Sequence, residues 1–196
     1  MGPNGSGKSS MVHALMGHPA YEITKGSVTF RGKDLLSLPP EERAQLGLFL
    51  AFQYPKEIAG VTLCSFLFAA HKAVCKARDE KALTLLQFQE SLASHMKEIS
   101  MDLSFAERSL NQGFSGGEKK KAEILQLRML KPSFALLDET DSGLDVDALK
   151  IVAEGVSSLK GPSFSALVVT HYARILTHLQ PDRVHVMVAG KIVESG

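Results

Sequence analysis

The chain has no cysteine framework, no excess of charge of either sign and no long apolar run, and each absence removes a class of function. Its cysteines are Cys64 and Cys75 alone. Without a CxxC pair or a Cys/His cluster they specify neither a disulfide scaffold nor a zinc site, and they point to a reducing compartment. Lysine and arginine number 22 against 21 acidic residues, a formal net charge of +1. That balance argues against nucleic-acid binding through a broad basic field. No apolar stretch approaches the roughly 20 residues a bilayer-crossing helix needs, so direct membrane insertion is not expected. The opening residues form a Gly-rich loop, unlike a secretory leader. Internal repeats, low-complexity tracts and extended linkers are missing too. At 196 residues the chain fits a single domain large enough to bury a core.

What is present alternates between two periodicities. The opening MGPNGSGKSS runs into a stretch with Met11, Leu15 and Met16 at helical spacing, so a Gly-rich loop feeds a helix. Residues 26–30 (GSVTF) and 48–52 (LFLAF) read as strands, with a helix start at PPEER between them. From about residue 61 to 113 strand signals are scarce, and Leu, Ala, Lys, Glu and Gln dominate, which predicts an inserted helical subdomain. A helix over 117–130 follows, then strand 134–138 (FALLD), a helix over 146–159 and strand 166–170 (ALVVT). A helix from Tyr172 and strands 183–189 and 191–194 complete the reading. Strands alternating with helices predict a parallel sheet covered on both faces, an α/β fold.

The chemistry begins in the first loop. Gly2-Pro3-Asn4-Gly5-Ser6-Gly7-Lys8-Ser9, continued by Ser10, matches GxxxxGK[ST], the Walker A pattern. Small residues there let backbone N–H groups curl around phosphates at a helix N-terminus. Lys8 then reaches the β and γ phosphates of ATP, and the Ser9 hydroxyl holds magnesium (Mg2+). FALLDE, residues 134–139, is an apolar strand ending in two carboxylates, the Walker B arrangement. Asp138 is expected to coordinate the metal and Glu139 to polarise the attacking water.

Phe114-Ser115-Gly116-Gly117-Glu118 is similar to the LSGGQ signature, and with a Walker A loop it resembles the ABC family of ATPases. Other family elements match in order: Gln53 as the Q-loop glutamine linking the metal site to the insertion, Ser142 to Asp145 as the D-loop, and His171 as the switch histidine. The resemblance implies a P-loop NTPase with a RecA-like core carrying an inserted α-helical subdomain. It also implies an ATP-dependent transient homodimer in which Ser115, Gly116, Gly117 and Glu118 of one subunit close over ATP held by the other. Gln53 and Glu139 with His171 would serve the γ-phosphate and water; Ser9, Gln53 and Asp138 would serve the metal.

Within the family the text most resembles the ATPase of the SUF iron–sulfur cluster assembly system: AFQYP followed by an EI-x-GV segment, GEKKK after the signature, and DSGLDVDALK after Walker B. That likeness implies SufB/SufD-type scaffold proteins as partners, docked around residues 54–68, and a cytoplasmic or plastid-stroma setting. A transporter nucleotide-binding subunit and a truncated fragment without ATPase activity are the alternatives. The family carries a strand and an adenine-stacking aromatic before its Walker A loop, and a helical tail. The chain is therefore expected to be an incomplete cassette at both ends, with a loosened phosphate cradle and an unpaired face in its central sheet. Lys119, Lys120 and Lys121 read as a solvated helix face, with one of them pairing with Glu139 in the resting subunit.

Overall fold

The apolar runs at 48–51, 134–138 and 165–169 are short and continuous, the pattern of strands buried on both faces. In the computed structural model, which describes residues 1–141, 146–172 and 175–196, they form one parallel sheet. In chain order the elements are α1 (Lys8–Met16), β1 (Thr29–Phe30), β2 (Lys33–Asp34), α2 (Pro40–Leu46), β3 (Leu48–Ala51) and β4 (Ile58–Thr62). Then come α3 (Leu63–Ala77), α4 (Leu85–Glu98), β5 (Ser109–Leu110), α5 (Gly116–Leu130) and β6 (Phe134–Asp138). The chain ends with α6 (Val146–Ser157), β7 (Ser165–Val169), α7 (Leu176–Leu179), β8 (His185–Val188) and β9 (Lys191–Ser195).

The sheet order is β3-β6-β7, with Leu50 opposite Leu136 and Leu136 opposite Leu167. β6 is the middle strand, and Ala135, Leu136 and Leu137 are buried. On one face α1 sets Val12 against Leu50, Leu136 and Val169. On the other, α5 and α6 bring Ile124, Leu127, Val152 and Val156 onto Ala135 and Leu137. Such a two-sided cover is what an all-parallel sheet requires.

Between β3 and α5, α4 turns Phe88, Leu92 and Met96 inward at four-residue spacing, packing with Leu63 and Leu67 of α3. Thr62 and Thr84 cap the two helices, the second through a reciprocal capping box with Gln87. The segment is not wholly helical, because β4 and β5 pair antiparallel at its base.

Two strand expectations change. The run at 26–30 is extended only over Thr29–Phe30, paired with Lys33–Asp34. β8 and β9 do not join the parallel sheet; they pair with each other, antiparallel. The cause is local: Ala189 and Gly190 both adopt positive φ, 46° and 78°, the backbone that closes a tight hairpin. β7 is consequently a sheet edge. The helix expected from Tyr172 is described only as Leu176–Leu179.

Candidate functional site

The carboxyl ends of parallel strands are where α/β folds collect their ligands, and the sequence-derived residues converge there. Gln53 follows β3, Asp138 ends β6 with Glu139 next, and His171 follows β7 after Thr170. The Gly-rich loop faces them across a cavity of about 300 Å³ lined by Asn4, Gly5, Gly7, Lys8, Ser9, Ser10, Gln53 and Glu139.

The loop turns through Gly5 and Gly7 at φ 76° and 98°, values that disfavour a side chain. Gly7 starts α1 with no side chain capping it and no acidic residue in the first turn. The helix therefore presents N–H groups and positive dipole to an anion. Lys8 folds back over the loop, donating to the carbonyls of Gly2 and Pro3 at 2.9 Å each. Phosphate oxygens would take over those donors. Behind the loop, Met187 N–H donates to Met1 C=O at 2.8 Å and Gly190 N–H to Ser6 C=O at 2.9 Å, so the β8–β9 hairpin braces the cradle.

Ser9 Oγ donates to Asp138 Oδ1 at 2.8 Å. Burial pushes the Asp138 carboxyl above its ordinary pKa and Glu139 adds to that, while the Ser9 bond and His13 pull it down. Asp138 Oδ2 is buried without a hydrogen bond, although His13 Nε2 lies 3.3 Å away. A serine hydroxyl beside an under-satisfied buried carboxylate is a hard oxygen donor set that fits Mg2+.

Glu139 forms a second constellation. Gln53 Nε2 donates to Glu139 Oε2 at 2.8 Å, and His171 Nδ1 lies 3.3 Å from Glu139 Oε1. Glu139 also sits at φ 44°, a strained conformation for a non-glycine residue, of the kind that clusters at functional sites. The lysine pairing expected for Glu139 is not found among the described residues: Glu139 lines the cleft with Gln53 and has His171 beside it. Lys119 pairs with Glu57 at 3.0 Å and Lys121 donates to Ser100 C=O. Lys120 is buried rather than solvated, because it has an internal acidic partner, Glu123.

Ser115, Gly116, Gly117 and Glu118 do not line this cavity; they begin α5. Ser115 N–H donates to Glu118 at 2.7 Å and Glu118 N–H to the Ser115 hydroxyl at 3.3 Å. The Ser115 backbone N–H, and then its hydroxyl, hold the Glu118 carboxyl below its usual pKa. Asp145 lies outside the described residues. Sequence reasoning passed over His13, although its place four residues after Ser9 puts it on the same helix face. It also passed over Glu123, three residues after Lys120.

Against known proteins, the family model described as ABC transporter matches residues 1–142, which span the loop, Gln53, the Ser-Gly-Gly turn and the two carboxylates. The chain belongs to the ABC transporter family. The cassette is 53% identical over 196 residues to "Vegetative protein 296" of Bacillus subtilis (strain 168), covering 100% of this chain and 74% of that one. It is 52% identical to "Probable ATP-dependent transporter slr0075" of Synechocystis sp. (strain ATCC 27184 / PCC 6803 / Kazusa), covering 100% of this chain and 77% of that protein. Its fold is that of the ATP-binding cassette MJ0796, solved as a dimer in a post-hydrolysis state with ADP and Pi: TM-score 0.82, 18% identity, covering 100% of this chain and 82% of the other. The cassette is thus an ATP-binding subunit with a P-loop NTPase fold. No described helix is long and apolar enough to cross a membrane.

Proposed function

We propose that the cassette is the ATP-hydrolysing subunit that powers iron–sulfur cluster assembly on a SufB/SufD-type scaffold, acting as an ATP-dependent transient homodimer. The observation that carries the catalytic part is the convergence of Ser9 with Asp138, and of Gln53 and His171 with Glu139, at one cleft. ATP enters phosphates first. The uncapped start of α1 and Lys8 hold the β and γ phosphates, and Ser9 and Asp138 hold Mg2+, which neutralises phosphate charge when bound. Gln53 and His171 keep Glu139 aimed at the γ-phosphate, where the carboxylate accepts a hydrogen bond from water and orients it for in-line attack. Ser115, Gly116 and Gly117, outside this cleft, serve the nucleotide of a second copy.

Residues 61–113 act as the helical subdomain. Support for a scaffold partner comes from the SUF-like sequence after Gln53 and from what that stretch exposes: Tyr54 is 75% accessible, and Ile58 and Val61 are also exposed. An adjacent apolar groove of about 330 Å³ includes Phe49, Phe52, Phe66 and Ala70, a surface suited to an inserted apolar segment. A transporter-subunit reading is favoured by the Synechocystis relative, which is named as a probable ATP-dependent transporter.

Calorimetric titration of magnesium-ATP into the chain, with Lys8→Ala alongside, tests nucleotide binding; saturable binding lost in the variant is expected. Hydrolysis is then measured with and without a SufB/SufD-type scaffold complex. Stimulation that Tyr54→Ala weakens supports the assembly role, and absence of any scaffold effect removes it.

A further inference from the structure

α5 carries a buried ion pair that catalysis as described leaves unused. Lys120 Nζ lies 2.8 Å from Glu123 Oε2, and both side chains are 6% exposed. The pair does not close on itself. Glu123 Oε1 accepts from Phe52 N–H at 2.9 Å, and Lys120 Nζ donates to Phe52 C=O at 2.6 Å. Both backbone polar groups of one residue are therefore held by two charged side chains one helical turn apart.

Phe52 sits just past β3, whose ladder with β6 ends at Ala51. Among the described residues its amide and carbonyl find their partners in Glu123 and Lys120, through part-buried bonds, rather than in a neighbouring strand. The residue after Phe52 is Gln53, whose amide bonds Glu139. About one turn before Lys120 the same helix begins, at Ser115, Gly116 and Gly117.

We infer that Lys120 and Glu123 are positioning residues for hydrolysis: by gripping both sides of Phe52 they continue the β3 ladder, set the backbone of Gln53, and fasten the helix that begins at Ser115 to the ATP cleft. A buried ion pair is often replaceable by apolar side chains at little cost in stability, whereas removing one partner alone strands a charge. The paired replacement therefore separates positioning from folding. This inference rests on the assignment of Gln53 and Glu139 to the cleft, and the controls are chosen accordingly.

The experiment is a mutant cycle in the full chain, reading kcat, KM and calorimetric ATP affinity, with thermal unfolding alongside. Lys120→Met/Glu123→Leu is expected to lower kcat by about 10- to 100-fold, the scale of an ångström-level misplacement, with ATP affinity changed by less than about threefold. Lys120→Gln/Glu123→Gln, which removes both charges but keeps a donor for Phe52 C=O and an acceptor for Phe52 N–H, retains most of kcat. Gln53→Ala lowers kcat alone, and adding it to the paired replacement costs little more, because the residues act as a unit. Should the paired variant fail to fold, Lys120→Leu/Glu123→Met, which also removes both charges together, carries the same cycle against Gln53→Ala. Losses that multiply independently, or an unchanged kcat in the paired variant, overturn the inference. An unchanged kcat in Gln53→Ala instead overturns the assignment of Gln53, and with it the positioning role.

Discussion

Arg43→Met tests whether a single guanidinium holds the far end of the phosphate-binding helix. Arg43, on α2, is 6% exposed. Its Nε donates to Leu38 C=O at 2.8 Å, and its Nη1 to Ala14 and Leu15 C=O at 3.0 and 2.9 Å. A longer contact of 3.4 Å reaches Leu36 C=O. Ala14 and Leu15 lie in the last turn of α1, where carbonyls lack the i+4 donor of the helix interior, although Ala14 C=O also takes the Gly17 N–H at 3.0 Å. One side chain therefore joins α1, the 36–38 segment and α2. Hydrogen bonds to charged groups contribute about 1.5–3 kcal/mol each. Three short ones, discounted by about half for the guanidinium's own desolvation and for water reaching the released carbonyls, give a loss of about 3 kcal/mol. Methionine retains much of the apolar stem, so packing changes little. In a chain of this size about 3 kcal/mol lowers Tm by roughly 6–12 °C. Urea unfolding followed by circular dichroism measures it, with the m-value unchanged. A loss under about 1 kcal/mol would show that these bonds only replace hydration of equal strength, and would refute the reasoning.

Two further perturbations probe the site and the core. In metal-free buffer Asp138→Asn is expected to gain stability relative to the wild type as pH rises. The Asp138 pKa is raised chiefly by burial from an ordinary 3.8, so its contribution is complete below that value and lost as pH rises through the folded pKa. Denaturant midpoints between pH 4 and 7 check this, and a variant midpoint that falls relative to the wild type as pH rises opposes it. Gly155→Ala would set a methyl 2.4 Å from Ile124 Cγ2. Overpacking of about 1–3 kcal/mol is expected to outweigh the helix-propensity gain of up to about 1 kcal/mol. Thermal unfolding decides the sign, and a raised Tm would mean that α5 and α6 separate at little cost.

Much of this fold is readable in the chain because its periodicities are local. The apolar runs at 48–51 and 134–138 are too short and too continuous for amphipathic helices. The Walker A spacing needs no tertiary knowledge, since a Gly-rich turn opening a helix has one physical use that fits Lys and Ser at its end. The shortened strand at Thr29–Phe30 and the separate β8–β9 hairpin were not readable in the same way. Alternation specifies that a segment is extended, but not which edge it pairs with.

The lysine run marks the boundary most clearly. Lys119, Lys120 and Lys121 are identical letters, and composition makes them one solvated face. Successive helix positions point about 100° apart, so packing sends the middle one inward to Glu123 and Phe52 and leaves its neighbours on Glu57 and Ser100. By itself the sequence determined the order of the motifs, the α/β alternation and the residue types available for phosphate and metal, since these are properties of spacing along the chain. Only the tertiary structure decided that Glu139 faces Gln53 and His171 rather than a lysine, that His13 stands beside Asp138, and that Glu123 reaches the Q-loop. Those pairings join residues far apart in sequence: the sheet order β3-β6-β7 sets Gln53, Glu139 and His171 side by side, and the packing of α1 and α5 on opposite faces of that sheet creates the other two.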